Sequence, residues 1–211
     1  PGTGDNMGAA FALEIAPGDV VVSLGTSGTA FAGSSQPTKD PTGLVAGFAD
    51  ASGVFLPLVC TLNAARILTS TAELLGVDMD SFAALALAAE PGASGLVMLP
   101  YFDGERTPNL PDARGSLHGI SRENLTPQNL ARAAIEGMLG GLADAVDALV
   151  DVGVQPSRVL VVGGAASNPA VADIAATLVG VPVQIPPAGE YVADGAARQA
   201  AWILRGGEQP A

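Results

Sequence analysis

The sequence predicts an α/β domain, and three observations along the 211 residues lead to it. The first third consists of β-branched and apolar runs separated by glycine turns, which is typical of strands. From residue 62 the apolar residues recur at helical spacing. From residue 157 short strands alternate with helices, which favours a parallel pair of strands. We therefore expect an antiparallel meander followed by alternating strands and helices.

The meander begins after a short predicted helix over residues 5–13, for which Asp5 is the expected N-cap. A buried strand around residues 20–22 then runs into the turn 25–28, and the next strand covers residues 29–31. A four-residue turn between two such runs indicates a β-hairpin. One or two further strands are predicted in residues 44–60, around a turn at residues 50–53.

The helical part contains three predicted helices and one short buried strand at residues 96–99. The first helix covers residues 62–75 and ends at Gly76, because glycine readily adopts the left-handed conformation of a helix end. The second covers residues 81–89, with Asp80 or Ser81 as its cap. The longest is capped by Thr126, begins at Pro127 and stops before Gly153. Its apolar stripe should face the core, with an oligomer interface as the alternative; the stripe comprises Leu130, Ala134, Met138, Leu142, Val146 and Leu149.

The last part is predicted to be a βαβ unit followed by a helix. A strand at residues 158–162 enters a glycine turn, and Asn168-Pro169 begins a helix that continues to Leu178. Residues 181–185 form the second strand. The final helix is expected over residues 195–204, capped by Asp194 and ended by Gly206-Gly207. No linker interrupts the chain, so residues 1–211 are interpreted as one domain.

Composition excludes several classes of function. The chain carries 9 basic and 21 acidic residues, a net charge of −12, which argues against a nucleic-acid-binding surface. The single cysteine, Cys60, lies in an apolar run and is expected to be a small core residue. No apolar run is long enough to cross a membrane and no secretory signal is visible, so a cytoplasmic location is expected.

Two glycine turns that follow buried strands are candidates for binding an anion. The first is Gly25-Thr26-Ser27-Gly28 and the second begins Gly163-Gly164-Ala165 and reaches Asn168. Backbone N–H groups in such turns can approach a phosphate, although ordinary tight turns have the same composition. The one lysine, Lys39, is distant from both turns, which excludes a P-loop, and neither turn reads GxGxxG.

The remaining chemistry centres on Asp5. It is either simply a helix cap or a general base toward a hydroxyl group, since a helix N-terminus favours the ionised carboxylate. The only histidine, His118, has no cysteine or carboxylate cluster nearby in the sequence and is assigned a structural role, so no metal ligands are predicted. There is no GxSxG motif of a serine hydrolase.

Taken in order, five motifs and a longer signature resemble the C-terminal domain of the FGGY carbohydrate kinases over about residues 2–205. The motifs are Gly4-Asp5-Asn6, Ser23-Leu24-Gly25-Thr26-Ser27-Gly28, Leu99-Pro100-Tyr101 with Gly104-Glu105-Arg106-Thr107-Pro108, Asp112-Ala113-Arg114-Gly115, and Val162-Gly163-Gly164-Ala165 with Asn168. Between the fourth and fifth lies the signature, which begins Gly115-Ser116-Leu117-His118-Gly119-Ile120 and ends in Ala133-Ala134-Ile135-Glu136.

The resemblance implies a ribonuclease-H-like, actin-like ATPase fold and ATP-dependent phosphorylation of a ketose hydroxyl, with D-xylulose as the expected substrate. It gives Asp5 the role of catalytic base and lets Asn6 orient the sugar. Thr26, with the backbone of Gly25 and Gly28, would contact the terminal phosphates. The nucleoside end would be lined by Gly163, Gly164, Ala165 and Asn168. The GERTP loop would border the cleft.

The same resemblance implies ATP with Mg²⁺ as cofactors and a further, N-terminal domain that is missing here, so the chain is expected to be a fragment that is inactive alone. A homodimer is a further expectation, whereas nucleic-acid and membrane partners are not expected. The alternatives are another FGGY sugar kinase, acting on gluconate, ribulose or glycerol, and a non-catalytic actin-like nucleotide-binding switch.

Overall fold

The computed structural model describes residues 2–206, and its centre is a six-stranded mixed sheet with the strand order β3-β4-β2-β1-β7-β8. The strands are β1 (Asp19–Leu24), β2 (Gly28–Ala32), β3 (Ala46–Ala49), β4 (Phe55–Thr61), β5 (Val97–Leu99), β6 (Ser116–His118), β7 (Arg158–Val162) and β8 (Val183–Gln184). The helices are α1 (Asp5–Ala12), α2 (Ala65–Leu75), α3 (Met79–Leu87), α4 (Pro127–Asp151), α5 (Pro169–Leu178) and α6 (Tyr191–Arg205).

The antiparallel half of the sheet contains the predicted hairpins but not a simple meander. β1 pairs with β2 in the expected hairpin, from Leu24 opposite Gly28 to Val20 opposite Ala32. β4, and not β3, is the next partner of β2, while β3 pairs with β4 at the edge of the sheet. The predicted meander, in which neighbours in sequence are neighbours in the sheet, is therefore wrong for β2 and β3. β3 is exposed along its whole length and lies at the edge, whereas the apolar β4 is buried at a more central position.

The parallel half confirms the predicted βαβ unit. β1 and β7 run parallel, with Ser23 opposite Val162, and β8 pairs in parallel with β7. α5 connects β7 and β8, and it begins where predicted because the Asn168 side chain accepts hydrogen bonds from the N–H groups of Ala170 and Val171. The confirmed fold class is α/β.

Helices cover the two faces of the sheet unequally. α2, α3, α4 and α5 build the larger core, which includes Val20, Val22 and Val59 of the sheet. α4 contributes the predicted stripe, and five of its six members are buried, so this stripe faces the core and is not an oligomer interface. α1 and part of α6 cover the other face, against a smaller cluster that includes Val21 and Phe31.

α1 and α6 cross at two glycines, which decides how closely these helices approach. A Cβ atom on Gly195 would overlap the carbonyl group of Gly8, and a Cβ on Gly8 would lie 3.1 Å from the carbonyl oxygen of Val192. The missing side chains let the two backbones touch. The N-terminus of α1 is thereby held at a fixed place on the sheet.

Several predicted helix ends are confirmed and others are wrong. Gly76 has the left-handed conformation expected after α2, and the Thr126 hydroxyl accepts from the N–H of Asn129 at the start of α4. α3 begins earlier than predicted, because the carboxylate of Asp78, and not of Asp80 or Ser81, accepts from the N–H of Ser81.

The last helix also begins earlier, at Tyr191, so Asp194 lies in its first turn and is not the cap. Gly206 ends this helix as predicted, and Gly207 lies outside the described residues. The strand predicted at residues 96–99 is β5, which pairs with β6 away from the main sheet and buries only its central residue, Met98. None of the helices in residues 2–206 combines the length and apolarity needed to span a bilayer.

Candidate active site

Four strands of the main sheet, β1, β4, β7 and β8, end at the same edge, and the loops after the first three are described first. β1 and β7 are parallel, and β4 has the same direction because it is two antiparallel pairings away from β1. The loops after residues 24, 61 and 162 therefore gather at one edge, which is where ligands of open α/β sheets bind. The N–H of Ala65 at the start of α2 donates to the carbonyl oxygen of Gly25 at 3.0 Å, which ties two of these loops together.

The two predicted glycine turns lie side by side at this edge. Gly163 has a φ of 97°, and a Cβ atom there would lie 2.6 Å from the carbonyl oxygen of Leu24. Only glycine permits both this conformation and this approach. The neighbouring Gly25, Thr26 and Gly164 are exposed, so their backbone groups face solvent next to one another.

Gly28 differs from the other predicted phosphate contacts, because it is buried. A Cβ atom at this position would lie 2.5 Å from the Oγ1 atom of Thr61 and 2.9 Å from a methyl group of Leu142 on α4. Gly28 therefore lets the hairpin pack against α4, in addition to any role of its backbone toward a ligand.

Asp5 stands at the start of α1, but it is not the cap. Gly4, which has no side chain to accept a hydrogen bond, occupies the N-cap position, and Asp5 is the first helical residue. Its Oδ1 atom accepts from the backbone N–H of Asn6 at 2.8 Å and from the Nδ2 group of Asn6 at 3.3 Å. The cap interpretation is wrong, and the exposed carboxylate keeps lone pairs directed to solvent.

A hydrogen bond from the sheet fixes the beginning of α1. The hydroxyl of Thr29 on β2 donates to the Oδ1 atom of Asn6 at 3.1 Å. Thr29 stands directly after the first glycine turn and is opposite Cys60 on β4. Asp5 and Asn6 are thereby placed beside the hairpin of the first turn.

Cys60, which is predicted to be a core residue, packs against the smaller apolar cluster beside Thr29. It is half-buried and not fully buried. Burial raises the pKa of the Cys60 thiol, the positive charge of Arg106 opposes this, and the negative charge of Asp5 adds to it.

The GERTP loop is fastened to the end of β4 by two buried side chains. Glu105 is 3% exposed, and its Oε1 atom accepts from the N–H groups of Leu62 and Arg106, both at 2.7 Å. Asn63 donates to the Oε2 atom of Glu105 at 2.8 Å and to the carbonyl oxygen of Gly104 at 2.6 Å. Sequence patterns identified the loop, but not that Glu105 and Asn63 hold it at the site.

A cavity of about 380 Å³ lies beside the second glycine turn. Gly163 and Gly164 line one side, and the other side is formed by residues 185–191, which comprise the loop after β8 and the first residue of α6. This loop was not among the predicted site residues, although a loop after a strand parallel to β7 must reach the same edge. The hydroxyl of Tyr191 donates to the carbonyl oxygen of Pro187, which closes the loop.

The other two residues predicted at the nucleoside end, Ala165 and Asn168, also have structural roles. Asn168 uses its side-chain oxygen to cap α5, and Ala165 is half-buried in a short 3-10 turn. A larger cavity of about 480 Å³ lies elsewhere, between Gly2, Thr3 and the outer side of α6, and none of the predicted site residues lines it.

In residues 2–206 no group of three or more His, Cys, Asp or Glu side chains converges in a way that could hold a metal ion. His118 is exposed, and its Nε2 atom shares a hydrogen bond with the Ser116 hydroxyl at 2.7 Å. This end of the sheet offers the exposed carboxylate of Asp5 and exposed backbone groups in both glycine turns.

Comparison with known proteins identifies the family. Residues 20–204 match the profile "FGGY family of carbohydrate kinases, C-terminal domain". A xylulose kinase of Streptomyces coelicolor is 48% identical over 97% of this chain and 41% of its own length. A xylulose kinase of Streptomyces rubiginosus is 47% identical over 100% of this chain and 42% of its own length, so its alignment includes Asp5.

Solved structures agree with this. The crystal structure of xylulose kinase from Bifidobacterium adolescentis superposes with a TM-score of 0.90 and 50% identity, covering 100% of this chain and 42% of that one. A glycerol kinase of Plasmodium falciparum with ADP, at 15% identity and a TM-score of 0.83, shares the fold. The chain spans about two fifths of the length of these relatives. It belongs to the FGGY family of carbohydrate kinases and corresponds to the C-terminal domain of that family.

Proposed function

We propose that this chain is the nucleotide-binding C-terminal domain of an ATP-dependent sugar kinase that converts D-xylulose to D-xylulose 5-phosphate. The observation that carries the proposal is that Thr29, directly after the first glycine turn, binds Asn6 next to Asp5, while Gly163 of the second turn lies against Leu24 at the start of the first. The relatives named xylulose kinase, at 47–48% identity over at least 97% of this chain, support the choice of sugar.

Asp5 would act as the general base. Its exposed carboxylate would accept the proton of the attacking sugar hydroxyl while the hydroxyl oxygen bonds to the γ-phosphorus and the bond to the β,γ-bridging oxygen breaks. Asn6 keeps one N–H of its Nδ2 group available, with which it would orient the sugar beside the base.

The ATP would lie along the edge of the sheet. Thr26, with the backbone N–H groups of Gly25 and Gly28, would contact the terminal phosphates, and Gly163, Gly164, Ala165 and Asn168 would border the nucleoside. The cavity between the second turn and residues 185–191 has room for the base and ribose, since pockets for small molecules begin at about 300 Å³.

The phosphates of ATP would bring Mg²⁺ with them. Asp5 is the only one of the predicted site residues with a carboxylate, and the described residues contain no cluster of metal ligands. The ion would therefore be held mainly by phosphate oxygens and water, as Mg²⁺ commonly is. Its contribution would be to neutralise the charge that develops on the phosphates.

The sugar would be enclosed from the other side by a preceding domain of the same protein. The chain corresponds to about 41% of the Streptomyces coelicolor relative, which leaves room for such a domain. We expect residues 1–211 alone to bind ATP weakly and not to phosphorylate xylulose.

Substitution of Asp5 by Asn in the full-length protein tests the proposal. We expect kcat to fall at least about a thousandfold, because the amide cannot accept the proton in the transition state. ATP binding, measured by calorimetry, should stay within about threefold, since Asp5 does not belong to the phosphate turns. A kcat near that of the wild type would overturn the assignment of the base.

A panel of xylulose, ribulose, gluconate and glycerol, compared by kcat/KM, distinguishes this function from that of another sugar kinase. A further alternative is a nucleotide-dependent switch, because an activator of a dehydratase with bound ADPNP shares the fold at a TM-score of 0.53. Nucleotide binding without phosphorylation of any sugar in the panel would favour the switch.

A further inference from the structure

We propose that Thr29 is a positioning residue for the base: it acts through Asn6, whose side-chain amide it orients so that this amide holds the carboxylate of Asp5. The inference rests on the proposed function, since it concerns the same site. It adds a residue that stands outside the sugar and phosphate contacts assigned above.

The first step is the orientation of the Asn6 amide. A carboxamide has an oxygen that only accepts and a nitrogen that only donates. The Oδ1 atom of Asn6 is 3.1 Å from the Thr29 hydroxyl, while its Nδ2 group is 3.3 Å from the Oδ1 atom of Asp5. The Asp5 carboxylate can only accept, so the hydroxyl of Thr29 must donate, and the three side chains form one directed chain.

The second step is the place of Thr29. It is half-buried on β2, one residue beyond the glycine turn, and it is held on both sides by pairing with Ser23 and Cys60. Asp5, by contrast, is exposed and its other acceptor contact is with the adjacent backbone N–H of Asn6. The paired strand therefore holds Thr29 in place, and Thr29 restrains the exposed Asp5 carboxylate through the side chain of Asn6.

The third step is the consequence for catalysis. The same strand that ends the phosphate turn also fixes the direction of the base, so the distance between phosphate and base depends on one short segment. Displacements of about 1 Å in such a geometry cost up to about a hundredfold in rate. Without the Thr29 hydroxyl, the Asn6 amide can turn over and release Asp5.

The experiment compares Thr29→Val with Thr29→Ser in the full-length protein. Valine keeps the shape and removes the donor, so kcat should fall about tenfold to a hundredfold, while the KM for ATP and for the sugar stays within about twofold. Serine keeps the donor and should restore kcat to within about threefold of the wild type. Equal kcat values for the valine variant and the wild type would overturn the inference.

A double substitution tests the path through Asn6. If Thr29 acts through Asn6, then Asn6→Ala with Thr29→Val should be no slower than Asn6→Ala alone, because the two residues belong to one chain. Independent, multiplying losses would contradict this. A merely structural role would lower the thermal midpoint of the valine variant and leave the kcat of its folded fraction unchanged, which also contradicts the inference.

Thr61→Val serves as the matched control. It removes a threonine hydroxyl from the adjacent strand on the opposite face of the sheet, so kcat should stay at the wild-type value. Asp5→Asn separates the two proposals. If Asp5→Asn is active, the base assignment fails; if it is inactive while Thr29→Val is fully active, only the role of Thr29 fails.

Discussion

Thr29 and Thr61 are neighbours on adjacent strands, yet their hydroxyl groups have opposite surroundings. Thr29 points to the face that α1 covers only in part, and it donates to Asn6 beside the exposed Asp5. Thr61 points to the face that α4 covers, is 3% exposed, and its Oγ1 atom has no hydrogen-bond partner within the described part of the chain. The same residue type thus forms a hydrogen bond beside the candidate site on one face and is buried without a partner in residues 2–206 on the other.

The difference teaches that the two faces have separate tasks. The face under α2 to α5 buries the larger apolar cluster, and burial of apolar surface is the main favourable contribution to folding. The face under α1 and α6 has a smaller cluster, and at the edge with the glycine turns it leaves polar side chains within reach of solvent. Substitutions on the first face should change unfolding, and those at the open edge should change catalysis.

The largest expected effect on the covered face is that of Leu149→Ala on α4. Leu149 is 0% exposed, and deletion of such a side chain leaves a cavity, so the free energy of unfolding should fall by about 2–5 kcal/mol. Urea denaturation measures it. Leu204→Ala on α6 is the control, because Leu204 is 89% exposed and its loss should change stability by less than about 0.5 kcal/mol. Equal losses in both variants would contradict the division of tasks.

A medium effect is expected at the far end of the open face, where a carboxylate is structural. Asp19 is 4% exposed and accepts from Arg158 at 2.7 and 2.8 Å and from the N–H of Ala16 at 2.9 Å. These contacts, above all the hydrogen bond from Arg158, hold the pKa of Asp19 below its ordinary value. Asp19→Asn should cost about 1–2 kcal/mol at pH 7, since Arg158 is partly solvated.

The sign of the pH dependence follows from the lowered pKa of Asp19. The ionised form is favoured in the folded state, so its stabilisation is present above the ordinary pKa of about 3.9 and is lost as the pH falls through the lower value. Denaturation curves between pH 7 and pH 2 should converge for the wild type and Asp19→Asn at the acid end. A constant difference over this range would contradict the ion pair.

The smallest effect is expected for Thr61→Val. Removing a buried hydroxyl that has no partner in residues 2–206 avoids its desolvation, so the free energy of unfolding should rise by about 0.5–1 kcal/mol. Thermal unfolding measures it. A loss of more than 1 kcal/mol would mean that the hydroxyl is hydrogen-bonded in solution, and the contrast with Thr29 would weaken.

Much of the fold could be predicted because local signals were strong. Gly76, Thr126-Pro127 and Asn168-Pro169 mark helix ends through their own backbone preferences, and the structure confirms each. Asp5 failed as a cap because it is itself the first helical residue, after the extended Gly4. Asp194 failed because the last helix already begins three residues earlier, at Tyr191. β3 lies at the edge of the sheet because its side chains are exposed, so a central position would bury no additional apolar surface that favours folding.

The sequence by itself determined the α/β class, the two glycine turns and the identity of the candidate base. These follow from hydrophobic periodicity and from conformations that only glycine adopts. Only the tertiary structure decided that Gly163 touches Leu24, that Glu105 fastens the GERTP loop, and that Thr29 reaches Asn6. Such contacts join residues that are 23 to 139 positions apart, and they arise from strand pairing and helix crossing, for which no local pattern in the chain is sufficient.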